Sequence, residues 1–212
     1  MVKNLFLVRH GESEYNAKRI IQGHIDTDLT PRGIVQARLA GEELKNFPIE
    51  KIYTSDLRRA YRTAYVIGDI LGIEPIIDER LREMNFGEWE GLAYEYIYQN
   101  HIEDFHNWLK NPVACPLPSQ EDIKEFESRI KDFLQEIKKQ KEENILIVAH
   151  GGSIQGIICI ACELGLEHIW GLRHTNTGIS HVKLYNNIPA ELKFLNYSKH
   201  LEKLQEQSNP AL

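Results

Sequence analysis

Apolar residues are distributed along this chain in two ways, and each predicts a different kind of element. Residues 4–8 and 144–149 are short, rich in β-branched side chains and apolar at nearly every position, the mark of strands buried on both faces of a sheet. Elsewhere apolar positions recur every three or four residues, which predicts helices with one buried face. Thr30-Pro31 caps and starts a helix carrying Ile34, Val35, Leu39 and Leu44. A second helix is expected from Asp56, with Leu57, Ala60, Ala64, Ile67 and Leu71 on one face and Gly72 closing it. Ile123, Phe126, Ile130, Phe133, Leu134 and Ile137 predict a long amphipathic helix, and residues 153–164 an apolar one. Residues 51–54 and 75–77 read as short strands. Residues 180–185 and 190–195, joined through Asn186-Asn187, read as a hairpin at the sheet edge. Strand and helix alternate for most of the length, which predicts a mainly parallel sheet with helices on both faces. The polar tail after His200 is expected to fray.

Composition narrows the picture. The 212 residues are 42% apolar, enough for a full core, and one domain over 1–212 is expected. The net charge is −6, and no run of Lys or Arg exceeds two residues, so a nucleic-acid partner is not expected. No apolar stretch approaches membrane-spanning length and the first strand begins just after Met1-Val2-Lys3, so a cytoplasmic protein without leader or membrane partner is expected. Cys115, Cys159 and Cys162 make no disulfide framework. Cys159 and Cys162 form a Cys-x-x-Cys, but it lies inside the apolar helix rather than at a helix amino terminus, where a redox pair gains a lowered thiol pKa.

The candidate chemistry sits where the two buried strands end. The first delivers Arg9-His10-Gly11 and the second His150-Gly151-Gly152-Ser153. Parallel strands carry both histidines to one rim, the place where open α/β sheets bind ligands. Gly11 is expected to let backbone approach a ligand. Gly151 and Gly152 are expected to leave bare N–H groups at a helix start, an anion site. Thr54-Ser55-Asp56-Leu57-Arg58-Arg59-Ala60 marks a third strand-to-helix junction, with one arginine pointing back at the rim.

With these motifs the chain resembles the histidine phosphatase superfamily, the phosphoglycerate-mutase-like fold, from residue 3 to about 201. Arg9-His10-Gly11-Glu12-Ser13 with Asn16 is similar to the nucleophile motif. Gln22-Gly23, Asp26, Leu29-Thr30, Gly33 and Gln36-Ala37 resemble the substrate-loop pattern that follows it. Ser55-Asp56-Leu57, Arg59-Ala60 and Thr63-Ala64 resemble the second arginine motif. Glu83 with Phe86-Gly87-Glu88-Trp89-Glu90-Gly91 resembles the acid-bearing segment, and His150-Gly151-Gly152 the second histidine motif. The resemblance implies a three-layer αβα sandwich with an antiparallel edge strand, a small helical cap at about 91–117, and metal-independent catalysis through phosphohistidine.

Under that resemblance His10 is the nucleophile, Glu83 the general acid and then base, and Arg9, Arg59, His150 and Asn16 cradle the phosphate. Gln22, Gly23 and Gly151 complete the substrate contacts. Two guanidinium charges push the pKa of His10 down and keep its ring nucleophilic. No cofactor and no metal are expected. His10, His150 and Glu83 could form a two-His, one-carboxylate metal site, but two arginines beside it would repel a divalent cation. A catalytically dead phospholigand-binding module would lack His10, Arg59 or Glu83, and none is missing. The segment between Gly91 and Leu117 is shorter than the mutase branch has, and Gly23-His24 and Gly151-Gly152 replace the Gly-Trp and Gly-Asn typical there, so a phosphatase acting on a small-molecule phosphate ester is expected over a cofactor-dependent phosphoglycerate mutase. Pro118-Ser119-Gln120-Glu121-Asp122 departs from the Gly-Gly-Glu-Ser of many small phosphatases, which puts the pocket wall there in question. His24, Tyr94, Tyr98, Phe105, His106 and Trp108 are candidates for the cap over the leaving group. The sequence does not name the ester, and a homodimer is the one assembly anticipated.

Overall fold

The two apolar runs become the centre of a sheet. In the computed structural model, which describes residues 2–202 and 204, they are β1 (Lys3–Arg9) and β4 (Asn144–Ala149), paired in parallel from Asn4 opposite Asn144 to Arg9 opposite Ala149. With β2 (Lys51–Thr54), β3 (Ile76–Ile77), β5 (Ile179–Leu184) and β6 (Glu191–Tyr197) they give the order β3-β2-β4-β1-β5-β6. The first four strands run parallel. β5 is antiparallel to β1 and β6 antiparallel to β5, the antiparallel edge expected of the hairpin. Residues 185–190 join them, one residue more at each end than the 186–189 expected.

Side chains on β1 alternate between two cores. Leu5 and Leu7 face one cluster and Phe6 and Val8 the other, which is why this strand shows no polar alternation. The first cluster holds α6 (Ile123–Lys139) and α7 (Gly151–Ala161) together with α4 (Tyr94–Asn100) and α5 (Ile102–Lys110), the two cap helices. The second holds α2 (Pro31–Leu44) and α3 (Arg58–Leu71). The helix following β1 and its short turn α1 (Glu14–Ala17) thus lies on one face, and the helix following β4 on the other. Adjacent parallel strands whose connections leave to opposite faces open a crevice at their carboxyl ends.

Some expectations change in detail. On α2 the buried stripe is Gly33, Gln36, Ala37, Ala40, Gly41 and Leu44, while Val35 is 39% exposed and Ile34 and Leu39 are half-buried. The reason is close approach to α3: a Cβ on Gly41 would lie 2.7 Å from Ile70 Cδ1. Small residues set that interface, so of the apolar positions expected on the buried face only Leu44 lies fully within it. α3 starts at Arg58, and Asp26 accepts the Arg58 N–H (2.7 Å) in place of a local cap. α7 spans Gly151–Ala161, which puts Cys162 at its carboxyl cap, and burial raises both thiols, Cys159 to about 12. That agrees with packing and disagrees with redox chemistry. His200 is buried in a 3-10 turn at Lys199–Leu201, just before the tail expected to fray. The remainder of that expectation, residue 203 and residues 205–212, lies outside the described residues. No helix among the described residues is long and apolar enough to cross a membrane.

Candidate active site

The parallel register of β1 and β4 brings His10 and His150 side by side, with ring centroids 5.2 Å apart. The His10 N–H donates to Ala149 O (2.9 Å), locking the first residue beyond one strand to the end of the other. His10 Nδ1 lies 2.7 Å from Gly11 O. A carbonyl only accepts, so Nδ1 carries the proton and Nε2 keeps its lone pair. The ring is buried, and burial together with the Arg59 and Arg9 charges holds its pKa well below the usual histidine value.

Both arginines are anchored by carbonyls, not carboxylates. Arg9 Nη1 donates to His174 O (2.7 Å), and Arg59 donates to Ile25 O (2.9 Å) and Gly23 O (2.7 Å). The Nε of each is buried without a partner, as are both ring nitrogens of His150. Burial lowers the Arg59 pKa to about 10, so it remains a cation at neutral pH. Buried donors left unpaired are costly, and an oxyanion placed among them would relieve that cost. Gly23 can present its carbonyl to Arg59 because it adopts a left-handed φ of 52° in a place where a Cβ would run into the Glu90 carboxylate.

Glu83 corrects one expectation. The amides at the start of α7 are not bare: Gly152 N–H donates to Glu83 Oε2 (3.1 Å) and Ser153 N–H to Glu83 Oε1 (3.2 Å). The helix terminus has already recruited a carboxyl group from the neighbouring loop, and this fixes Glu83 at the pocket. Arg129 on α6 donates to the carbonyls of Arg80 (2.6 Å), Arg82 (2.9 Å) and Glu83 (3.1 Å) while paired with Glu121 (2.7 Å). His24 Nε2–H also donates to Glu83 O (2.8 Å). Gly11 is a second correction. A Cβ there would lie 2.5 Å from Gly33 O, so its smallness admits helix α2 and not a ligand.

A cavity of about 530 Å³ opens over these groups. Arg9, His10, Asn16, Gln22, Gly23, Arg59, Glu83 and Gly151 all line it, whereas His150 lies beside His10 just behind the wall. Gln22 Oε1 accepts from Ser13 (2.8 Å) and Thr27 (2.7 Å), and Asn16 Oδ1 accepts from Asn176 Nδ2 (3.1 Å). Of the cap candidates, Tyr94, Tyr98, Phe105 and Trp108 reach the cavity; His24 and His106 do not. His24 is held below by Glu83, and His106 sits on the outer side of α5. Gln120 explains the departure in its segment. Its Oε1 accepts from Trp108 Nε1 (2.7 Å) and so sets a wall ring that also meets Phe86 and Trp170, without lining the cavity itself. Arg19, Gln155, Trp170, Arg173, His174 and Asn176 line the cavity and were not anticipated. The last three fall before β5. Because β5 is antiparallel, its incoming end reaches the active rim, and the rule of carboxyl ends does not point there. The polar run His174-Thr175-Asn176-Thr177 was the available signal.

No group of three or more His, Cys, Asp or Glu among the described residues is arranged to hold a metal ion. The profile of the Histidine phosphatase superfamily (branch 1) matches residues 5–196. A Hydrogenobacter thermophilus protein with the provisional name phosphoserine phosphatase 2 is 46% identical over 203 residues, 96% of this chain and all of that one. A 2,3-bisphosphoglycerate-dependent phosphoglycerate mutase of a Methylobacterium species is 35% identical over 81% of this chain and 86% of its own. Among solved structures, a variant of the phosphoserine phosphatase of Entamoeba histolytica in complex with phosphoserine superposes with a TM-score of 0.81 at 29% identity, over 94% of this chain and 99% of that one. With a matching profile over most of its length, full-length similarity to phosphatases and the paired strand-end histidines between two arginines, the chain belongs to the histidine phosphatase superfamily.

Proposed function

We propose that the protein is a metal-independent phosphomonoesterase that hydrolyses a small-molecule phosphate ester through phosphohistidine at His10. The observation that carries this reading is the state of His10: a neutral ring, its Nδ1–H tied to Gly11 O, its Nε2 free, between two guanidinium groups without carboxylate partners. A phosphate ester carries close to two negative charges, and its transfer is governed by positioning and charge stabilisation. At an effective dielectric near 20, each guanidinium about 4 Å from a transferring oxygen contributes about 4 kcal/mol of attraction.

The His10 Nε2 lone pair forms a P–N bond as the bond from phosphorus to the ester oxygen breaks. The departing oxygen keeps that electron pair and takes a proton from the Glu83 carboxyl. Water then attacks phosphorus, gives a proton to the Glu83 carboxylate, and the P–N pair returns to Nε2. The sum is ester plus water to alcohol plus inorganic phosphate. Positive side chains supply the charge that a metal would otherwise supply, so prolonged chelation is expected to leave the rate unchanged. The similarity to phosphoserine phosphatases makes phosphoserine the first ester to assay.

Rapid mixing with labelled ester followed by an alkaline quench tests the reading. It should trap a base-stable, acid-labile phosphoprotein in the wild type and none in His10→Ala. Label that persists in His10→Ala, or activity lost on chelation and restored by one divalent metal, would overturn it.

A further inference from the structure

Most arginines of this protein are neutralised. Arg32, Arg58, Arg62, Arg80, Arg82 and Arg129 each pair with a carboxylate. Five have no carboxylate partner among the described residues: Arg9, Arg19, Arg38, Arg59 and Arg173. Of these, all but Arg38 line the one cavity over His10. In a chain of net charge −6 this segregation is informative, because every arginine away from the cavity except Arg38 has a carboxylate partner. Arg59 is buried and Arg9 half-buried beside the nucleophile, and both serve the phosphate. Arg19 and Arg173 are exposed residues that line the same cavity, and the reading above gives them no role.

Their backbones are held. Arg19 adopts a left-handed φ of 55°, unusual for a residue with a side chain; its N–H donates to Asn16 O (3.1 Å) and its carbonyl accepts from the Tyr94 N–H (2.9 Å). The neighbouring bridge between Ile20 and Ala93 fixes the same junction to the cap. Arg173 precedes His174, whose ring is pinned by Leu172 O (2.9 Å) and Ser180 Oγ (2.6 Å) and whose carbonyl anchors Arg9. Tyr94 links the two regions. Burial raises its phenol pKa, and Arg9 and Arg173 both act to lower it, so one ring lies within electrostatic reach of the inner and the outer cation. The rest of the outer wall is aromatic, from Tyr98, Phe105, Trp108 and Trp170, and supplies no anion to offset the outer pair.

We propose that Arg19 and Arg173 form a second anion subsite that receives a carboxylate on the leaving group, so that the preferred substrates are phosphate esters of hydroxy acids. This rests on the phosphatase reading above and names the substrate class for it. A planar guanidinium matches a carboxylate in two-point geometry, and the pair orients the leaving group so that its ester oxygen faces Glu83.

The test uses ester pairs that differ at the carboxylate: O-phosphoserine against O-phosphoethanolamine, and 3-phosphoglycerate against glycerol 3-phosphate. The wild type should favour each acid by about 30-fold in kcat/KM, and Arg19→Gln/Arg173→Gln should reduce the preference to about threefold, chiefly through KM, with the non-acid esters little changed. Calorimetry on His10→Ala reads the subsite without turnover and should show the same preference in Kd. Equal binding of acid and non-acid esters there overturns the subsite while hydrolysis of both leaves the phosphatase reading standing. Carboxylate-dependent binding with no turnover by wild type overturns the phosphatase reading and leaves the subsite. A double variant that weakens acid and non-acid esters alike shows general attraction for phosphate and overturns the proposal.

Discussion

At the scale of single residues, the site depends on histidines kept neutral by burial and by nearby cations. His10 and His150 are held well below the ordinary histidine pKa, and burial drives His174 to about 4. An NMR titration should therefore find the His10 ring unprotonated on Nε2 down through about pH 6; a ring that titrates near the unperturbed value of about 6.5 would contradict the geometry. The same shifts couple folding to pH. Below about pH 6.5 the unfolded chain binds a proton at His174 that the folded chain binds only near 4, so stability is lost as pH falls through that window. For His174 alone the loss from about pH 7 to about pH 5 is about 2 kcal/mol. Calorimetric Tm should be level above neutrality and fall through this range, and His174→Asn should flatten the fall; an unchanged slope in that variant would refute the assignment.

At the scale of elements, the active groups owe their positions to contacts made by neighbouring helices and loops. Glu83 is steered from behind by Arg129 of α6, whose guanidinium holds the carbonyls of Arg80, Arg82 and Glu83 and the Glu121 carboxylate. Arg129→Met should destabilise the protein by about 3 kcal/mol, because Glu121 is left nearly buried without its partner. Adding Glu121→Gln should recover much of the Tm but leave kcat down by about tenfold, since the carbonyls still lack their donor. Recovery of both together would reduce Arg129 to a stability role. The cap has a similar dependence. In Gln120→Leu the Trp108 indole N–H loses its acceptor, at a cost of about 1–2 kcal/mol, and the freed wall should raise KM severalfold with kcat nearly constant. A KM equal to wild type would show that Trp108 keeps its place without Gln120.

At the scale of the whole molecule, the arrangement favours hydrolysis over phosphoryl shuttling. A mutase must keep water from its phosphoenzyme while the intermediate reorients. Here the cover consists of α4 and α5, two helices of 7 and 9 residues, over a cavity of about 530 Å³. With 3-phosphoglycerate and a 2,3-bisphosphoglycerate primer, inorganic phosphate should form faster than 2-phosphoglycerate in a coupled assay. Isomerisation outpacing phosphate release would place the activity with the mutase relatives instead.

The sequence by itself determined the strands, the rim and the inner site. β1 and β4 were legible because burial on both faces demands unbroken apolar residues, and His10, Arg59, Glu83 and His150 because each lies in a local motif whose order the chain preserves. Tertiary structure decided what depends on distance between segments. Gly11 and Gly41 are small for helices that approach from elsewhere, so neither their spacing nor their hydrophobicity disclosed the reason. Glu83 was legible as a residue of the site but not as the acceptor of the α7 amides, since that contact joins residues 69 and 70 positions apart. Arg19 and Arg173 looked like any surface arginines. Only folding, which gives Arg32, Arg58 and Arg62 their carboxylates and leaves these two at the cavity, made them distinct. Local patterns report what a residue must be for its own element, and charge complementarity between distant segments is set by the fold.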